Sequence, residues 1–161
     1  MLAYSSIAHS GYALIGLIAL GYGAGSAQSA TSIVFYLLIY SIMNIGAFGL
    51  VSLLEKDEDS EVLLDDLKGL AASRPGVAFA LSLLMLSLAG IPPTAGFFSK
   101  FYVFSVAIEA NLIWLAVWGV LGSVVSVYYY LKPVVNMYMM TEDRSFSFIA
   151  KNRIGFSTVG I

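Results

Sequence analysis

Leu86-Ser87-Leu88-Ala89-Gly90-Ile91-Pro92-Pro93-Thr94-Ala95-Gly96-Phe97-Phe98-Ser99-Lys100 is the stretch on which the reading of this chain turns. It lies in an apolar segment spanning roughly residues 76–110, where Lys100 is the only charged residue between Arg74 and Glu109. A helix of about 35 residues would extend roughly 50 Å at 1.5 Å per residue, well beyond a hydrocarbon core of ~30 Å. Gly90-Ile91-Pro92-Pro93 offers the interruption. Each proline lacks an N–H and its ring crowds the carbonyl four residues earlier, so the Leu88 and Ala89 carbonyls lose their usual helical partners. In lipid such groups are tolerated only where protein or trapped water satisfies them. The expectation is a membrane helix broken at Gly90–Pro93, with Lys100 beside the break in a buried, hydrated part of a helix bundle.

Composition sets the same frame. The 161 residues are 59% hydrophobic and 11% charged, against about a quarter charged in a soluble domain. No charged side chain precedes Glu55, so the first third has nothing from which to build a solvated face. The chain reads as an all-α integral membrane protein. Four segments are long enough to cross: about 4–22, 32–54, 76–110 and 112–131. The run Gly21-Tyr22-Gly23-Ala24-Gly25-Ser26 lacks the strand-to-helix context of a phosphate-binding loop and reads as an interhelical connection.

Several functions are excluded. Net charge is −2, and seven of the ten acids fall between Glu55 and Asp66, so there is no basic surface for nucleic acid. With no cysteine the chain can form no disulfide and supply no thiolate to an iron–sulfur cluster. One histidine rules out a self-contained His-rich metal site. Lys56, Lys68 and Arg74 follow the second segment, and Lys132, Arg144, Lys151 and Arg153 follow the fourth. With four crossings both groups share one side. By the positive-inside rule that side, holding loop 55–75 and the C-terminal region, is cytoplasmic. Met1-Leu2-Ala3-Tyr4 enters an apolar segment without the basic region of a signal peptide, and a hydrophobic segment from about residue 154 stops short. Both ends read as those of a piece of a longer chain.

Two side chains are candidates for proton transfer. Lys100 lies about 15 Å along its helix from the Glu109 boundary, half the core thickness and beyond snorkelling range. An isolated charge there costs at least ~2.5–3.5 kcal/mol, and an amine so placed can take up and release a proton as its surroundings change. The bland alternative is a lysine paired with a carboxylate to lock helices together. His9 forms a polar stripe with Ser5 and Tyr12; it is either a relay or a hydrogen-bonded interhelical histidine near the membrane surface. Supporting roles fall to Thr94 as a helix cap and to Gly96 and Ser99 beside Lys100. Tyr36, Tyr40 and Asn44 share a face of the second segment. Tyr128-Tyr129-Tyr130, beside Lys132, reads as an interfacial belt, and Glu109 as a boundary residue.

Residues 1–9 (Met-Leu-Ala-Tyr-Ser-Ser-Ile-Ala-His), 86–102 and 127–132 (Val-Tyr-Tyr-Tyr-Leu-Lys) resemble the antiporter-like membrane subunits of respiratory complex I and the related Mrp-type cation/proton antiporters. The tyrosine triplet and the wording around Lys100 look closest to the N-subunit branch of proton-translocating NADH:quinone oxidoreductase. The resemblance covers nearly the whole chain. It implies a partial proton-antiporter-like domain over residues 1–161: four helices of the second of two inverted repeats, with a last helix begun at 154. It makes Lys100 the lysine of the second broken helix, at the end of a mid-membrane proton path, and places His9 less firmly on that path. It implies partners among the other membrane subunits and a bacterial inner (plasma) membrane location. No redox catalysis is expected on this chain; NADH, flavin, iron–sulfur clusters and quinone belong to partner subunits. The family's first broken helix and the glutamate paired with its lysine have no counterpart here. The other readings are a sodium/proton antiporter subunit of Mrp type and a non-transporting piece that scaffolds assembly.

Overall fold

The computed structural model describes residues 2–22, 26–54 and 64–140. Most of the acidic run after Glu55, the basic residues Arg144, Lys151 and Arg153, and the segment from 154 lie outside the described residues. The described residues form helices and turns with no strand: α1 Leu2–Gly21, α2 Ser26–Ser52, a 3-10 turn Leu64–Leu67, α3 Leu70–Ser73, α4 Pro75–Ala89, α5 Ala95–Glu109 and α6 Ile113–Met139.

Two helices, α2 and α6, are long and apolar enough to cross a membrane by length and composition. Both exceed the apolar stretches that mark them in the sequence. α2 begins at Ser26, and in its first turns Thr31 and Ser32 turn their hydroxyls back onto the carbonyls of Ala27 and Gln28 at 2.8 and 2.9 Å. The hydroxyls are thereby satisfied inside the helix, beyond the edge of its hydropathy. α6 runs through Pro133 to Met139, where the apolar reading ended at Leu131. Its last turns bury Pro133, Asn136 and Met137, which lie near the segment of residues 64–73. Asn136 Nδ2 donates to the Leu64 carbonyl at 2.9 Å and ties that segment to the bundle. Asn136→Ala is expected to loosen it by about 1 kcal/mol, raising limited proteolysis within 64–73 about fivefold; an unchanged rate would mean that packing alone holds it. The nearby Lys68–Asp65 contact of 2.8 Å is exposed, so it contributes little, although the lysine holds the Asp65 carboxyl below the usual range.

The apolar segment of residues 76–110 is two helices of 15 residues, each about 22 Å long and by itself short of the hydrocarbon core. Pro75 opens α4 at the first helical position, where a missing N–H leaves nothing unpaired. α4 closes on Gly90, with φ of 84° and a left-handed backbone that glycine adopts without strain. The Gly90 N–H reaches the Ser87 carbonyl and the Ile91 N–H the Leu86 carbonyl, a Schellman closure. It takes up Leu86 and Ser87 and leaves Leu88 and Ala89 for another donor. Thr94 caps α5: its hydroxyl donates to the Ile91 carbonyl at 2.7 Å and accepts from the Phe97 N–H at 3.4 Å.

α2 packs on α1, α4 and α5, and α6 packs on α4, α5 and α1. Two apolar cores result. One gathers Met43, Ala47, Leu81, Met85 and Met137 between α2, α4 and α6; the other gathers Ile15, Ala19, Tyr36, Val103 and Ala116 around α1 and α5. Leu88, Ala89 and Tyr130 belong to the first core and Tyr12 to the second, so side chains that touch both lie at the seam. Outside, Val34, Ile45, Phe79, Trp114, Trp118 and Val124 are mostly exposed, an apolar exterior that suits lipid or neighbouring helices.

Candidate functional site

Lys100 is on the inward face of α5 and only 4% exposed. Its Nζ donates to the Leu88 carbonyl at 3.0 Å, the Ala89 carbonyl at 3.1 Å and the Ser123 hydroxyl at 3.1 Å. The two carbonyls left over by the Schellman closure are therefore held by the ammonium. An ammonium has three protons, and all three are placed. Its acceptors are uncharged, so the carboxylate-locked alternative is not the arrangement these contacts form. The ring of Tyr12 lies 5.1 Å from Nζ and adds a cation–π contact.

The break is built closely around this amine. A Cβ on Gly90 would meet Lys100 Cδ at 3.1 Å and Nζ at 3.2 Å, a second reason for glycine beside its positive φ. Pro92 and Pro93 lie in the turn that joins the two helices, exposed, and supply no contact to Nζ. Gly96 brings α5 against α4: its N–H donates to Ser87 Oγ at 3.1 Å, and a Cβ there would sit 1.8 Å from the Ser87 carbonyl oxygen. Ser99 turns its hydroxyl back to the Gly96 carbonyl at 3.0 Å and does not reach Lys100.

His9 is buried on α1, 2% exposed, with both ring nitrogens engaged. Nδ1 is 2.7 Å from the Tyr36 hydroxyl and Nε2 3.2 Å from the Tyr130 hydroxyl; Tyr36 also reaches the His9 carbonyl at 3.2 Å. Ser5 Oγ contacts the Tyr130 hydroxyl in turn. A neutral imidazole has one donor and one acceptor, and hydroxyls rotate, so the Ser5–Tyr130–His9–Tyr36 chain satisfies either tautomer. Tyr40 stacks on the ring at 4.5 Å and bonds Ser6 Oγ at 3.0 Å.

His9 and Lys100 meet through Tyr12, which is edge-on to the imidazole at 5.7 Å and has Lys100 over its ring face. The Ser5–His9–Tyr12 stripe is thus assembled as one wall. Three participants were not legible. Tyr130 read as part of an interfacial belt, yet it is 3% exposed while Tyr128 and Tyr129 are 70% and 56% exposed. Consecutive residues on a helix point about 100° apart, so a tyrosine triplet cannot face one environment. Ser123 and Ser87 carry one local signal, a hydroxyl in an apolar helix with no solvent to bond. Glu109 is exposed at the end of α5, its Oε1 accepting from Gln28 at 3.4 Å, as suits a boundary residue.

Between α1 and α6 opens a cleft of about 600 Å³, lined by Ser5, His9, Tyr12, Ser126, Tyr130 and Lys132 among others. A buried amine, a hydrogen-bonded histidine and a cleft between α1 and α6 lie together in an apolar bundle.

Comparison with known proteins shows the family. Residues 1–126 match the family model described as NADH:quinone oxidoreductase/Mrp antiporter, TM. The chain is 55% identical over 139 residues to NADH-quinone oxidoreductase subunit N of Bdellovibrio bacteriovorus, covering 86% of this chain and 29% of that protein. It is 49% identical over 146 residues to subunit N of Trichlorobacter lovleyi, covering 91% and 29%. Against subunit N of Salinibacter ruber it is 48% identical over 145 residues, covering 89% and 28%. The chain thus spans under a third of the length of these curated relatives. A membrane bundle with a lysine at a helix interruption, matched over most of its length, belongs to the NADH:quinone oxidoreductase/Mrp antiporter transmembrane family.

Proposed function

We propose that this chain is a proton-transferring part of a membrane subunit of bacterial NADH:quinone oxidoreductase, corresponding to a C-terminal portion of subunit N, with Lys100 as the group that takes up and releases the proton. The observation that carries this reading is the burial of the Lys100 ammonium with its three protons on uncharged acceptors. Among the described residues no carboxylate forms an ion pair with it, so a change of charge in a neighbouring site acts on its protonation directly. His9, on the other side of Tyr12, is the second relay group.

In this reading α1, α2, the pair α4–α5 and α6 are four crossings, with α4–α5 acting as one span broken at Gly90–Pro93. Tyr22, Trp114 and Trp118 at one end and Tyr128, Tyr129 and Tyr138 at the other are exposed, as interfacial anchors are. The end carrying Lys68, Arg74 and Lys132 faces the cytoplasm, in a bacterial inner membrane. The other membrane subunits of the complex are the partners; NADH, flavin, iron–sulfur clusters and quinone are bound elsewhere in it. The printed family description also covers Mrp antiporters. That reading is favoured instead if proton movement by the full-length subunit requires sodium.

The test is His9→Phe in the full-length subunit, with pumping measured per assembled complex in membrane vesicles. Losing both ring nitrogens is expected to slow translocation about 10²-fold, the low end for a positioned proton-transfer group. Unchanged pumping would remove His9 from the path.

A further inference from the structure

The three partners of Lys100 are chemically unequal. The Leu88 and Ala89 carbonyls accept and can never donate or pass a proton on, whereas the Ser123 hydroxyl does both. A charged amine has three N–H donors for three acceptors. A neutral amine has two N–H groups and one lone pair, which the two carbonyls and a reversed Ser123 hydroxyl satisfy equally well. The site therefore keeps every polar group paired in both protonation states, and the change between them is a rotation of one hydroxyl on α6.

Ser123 also faces the way in. The Tyr12 hydroxyl lies beside Ser123 and Ser126, and Tyr12 and Ser126 line the α1–α6 cleft. Ser126 turns its own proton to the Ser123 carbonyl at 2.7 Å, which leaves its oxygen free to accept. Beyond them the cleft wall continues through Tyr130 and Ser5 to Lys132, about two turns before the end of α6.

We propose that Ser123 is the point at which Lys100 exchanges its proton, and that the α1–α6 cleft, entered at the Lys132 end, is the route by which that proton arrives. In uptake a proton from the cleft bonds to the Tyr12 hydroxyl as the former Tyr12 proton passes to Ser123 Oγ, and the former Ser123 Oγ–H bond breaks as an Nζ–H bond forms on neutral Lys100. One proton enters, Lys100 gains one charge, and nothing is oxidised or reduced. This rests on the reading of Lys100 as the exchanging group.

The test compares Ser123→Thr with Ser123→Val in the full-length subunit within its complex. The two side chains have the same shape and differ by a hydroxyl, so a packing role would affect them alike. Pumping is expected to persist with threonine and to fall about 10²-fold with valine; equal pumping in the two would overturn Ser123 as the exchange point. Ser126→Cys is modified after assembly with a cationic, water-soluble thiol reagent, and the complex that keeps Ser126, treated in the same way, is the control for thiols elsewhere in it. Modification that blocks pumping is expected. An inert thiol, or pumping that survives modification, would overturn the cleft route. Lys100→Ala in the same vesicles separates the two levels: pumping there at the wild-type rate would sink the reading of Lys100 itself, whereas a loss there with threonine and valine alike would sink only this inference.

Discussion

Lys100→Ala, in the full-length subunit and measured per assembled complex, is expected to lower proton translocation through that subunit about 10²-fold or more. Two losses combine in it. The group proposed to exchange the proton is gone, and the Leu88 and Ala89 carbonyls lose their donor at the end of α4. A buried acceptor left unsatisfied costs about 1–3 kcal/mol, so assembly is expected to fall too and has to be measured beside pumping. Lys100→Met behaves the same way here. A buried ion pair can often be replaced by packing, but this ammonium holds two backbone carbonyls, and a thioether cannot. Lys100→Arg keeps donors and charge but hardly releases a proton, and the tight approach of Gly90 leaves a guanidinium little space. It is expected to assemble better than the alanine variant and to pump no better.

Gly96→Ala is expected to be the most damaging single methyl group in the described bundle. Its Cβ would lie 1.8 Å from the Ser87 carbonyl oxygen and 2.7 Å from the carbonyl carbon, both backbone atoms that cannot turn aside. α4 and α5 would have to separate, which breaks the Gly96–Ser87 hydrogen bond and draws Lys100 away from its carbonyls. Overpacking of this kind costs about 3 kcal/mol, at the upper end of the usual range. The control is Gly49→Ala on α2, where a Cβ meets nothing within 4 Å. There alanine is expected to be neutral or to stabilise by up to ~1 kcal/mol through helix propensity. Thermal unfolding of the full-length subunit in detergent reads both. Similar midpoints for the two variants would show that the α4–α5 crossing is looser than these distances.

The fold was legible where the physics is one-dimensional. Absence of charge before Glu55, the length of the apolar stretches and two adjacent prolines mark helices and an interruption without any tertiary information. The same reasoning freed the Leu88 and Ala89 carbonyls, because a proline has no N–H to give them. What takes them up was not readable from local sequence: Lys100 lies eleven and twelve residues on, and only the side-by-side placement of α4 and α5 brings it back. Ser123 and Tyr130 were hidden for a related reason. Both are on α6, and their worth depends on which face of that helix meets α1 and α5. The ends of α2 and α6 were misjudged because hydropathy sees apolar side chains, whereas Thr31, Ser32 and Asn136 are satisfied by hydrogen bonds it does not register.

The central claim is that a proton is exchanged at Lys100, and it is tested most directly by Lys100→Gln. A glutamine amide can donate two N–H bonds to the Leu88 and Ala89 carbonyls but has no proton to give up at neutral pH. The measurement is the number of protons moved per NADH oxidised, in vesicles carrying the assembled complex with this variant in its full-length subunit. The account predicts normal assembly with a lowered ratio. Normal assembly with the wild-type ratio would contradict it.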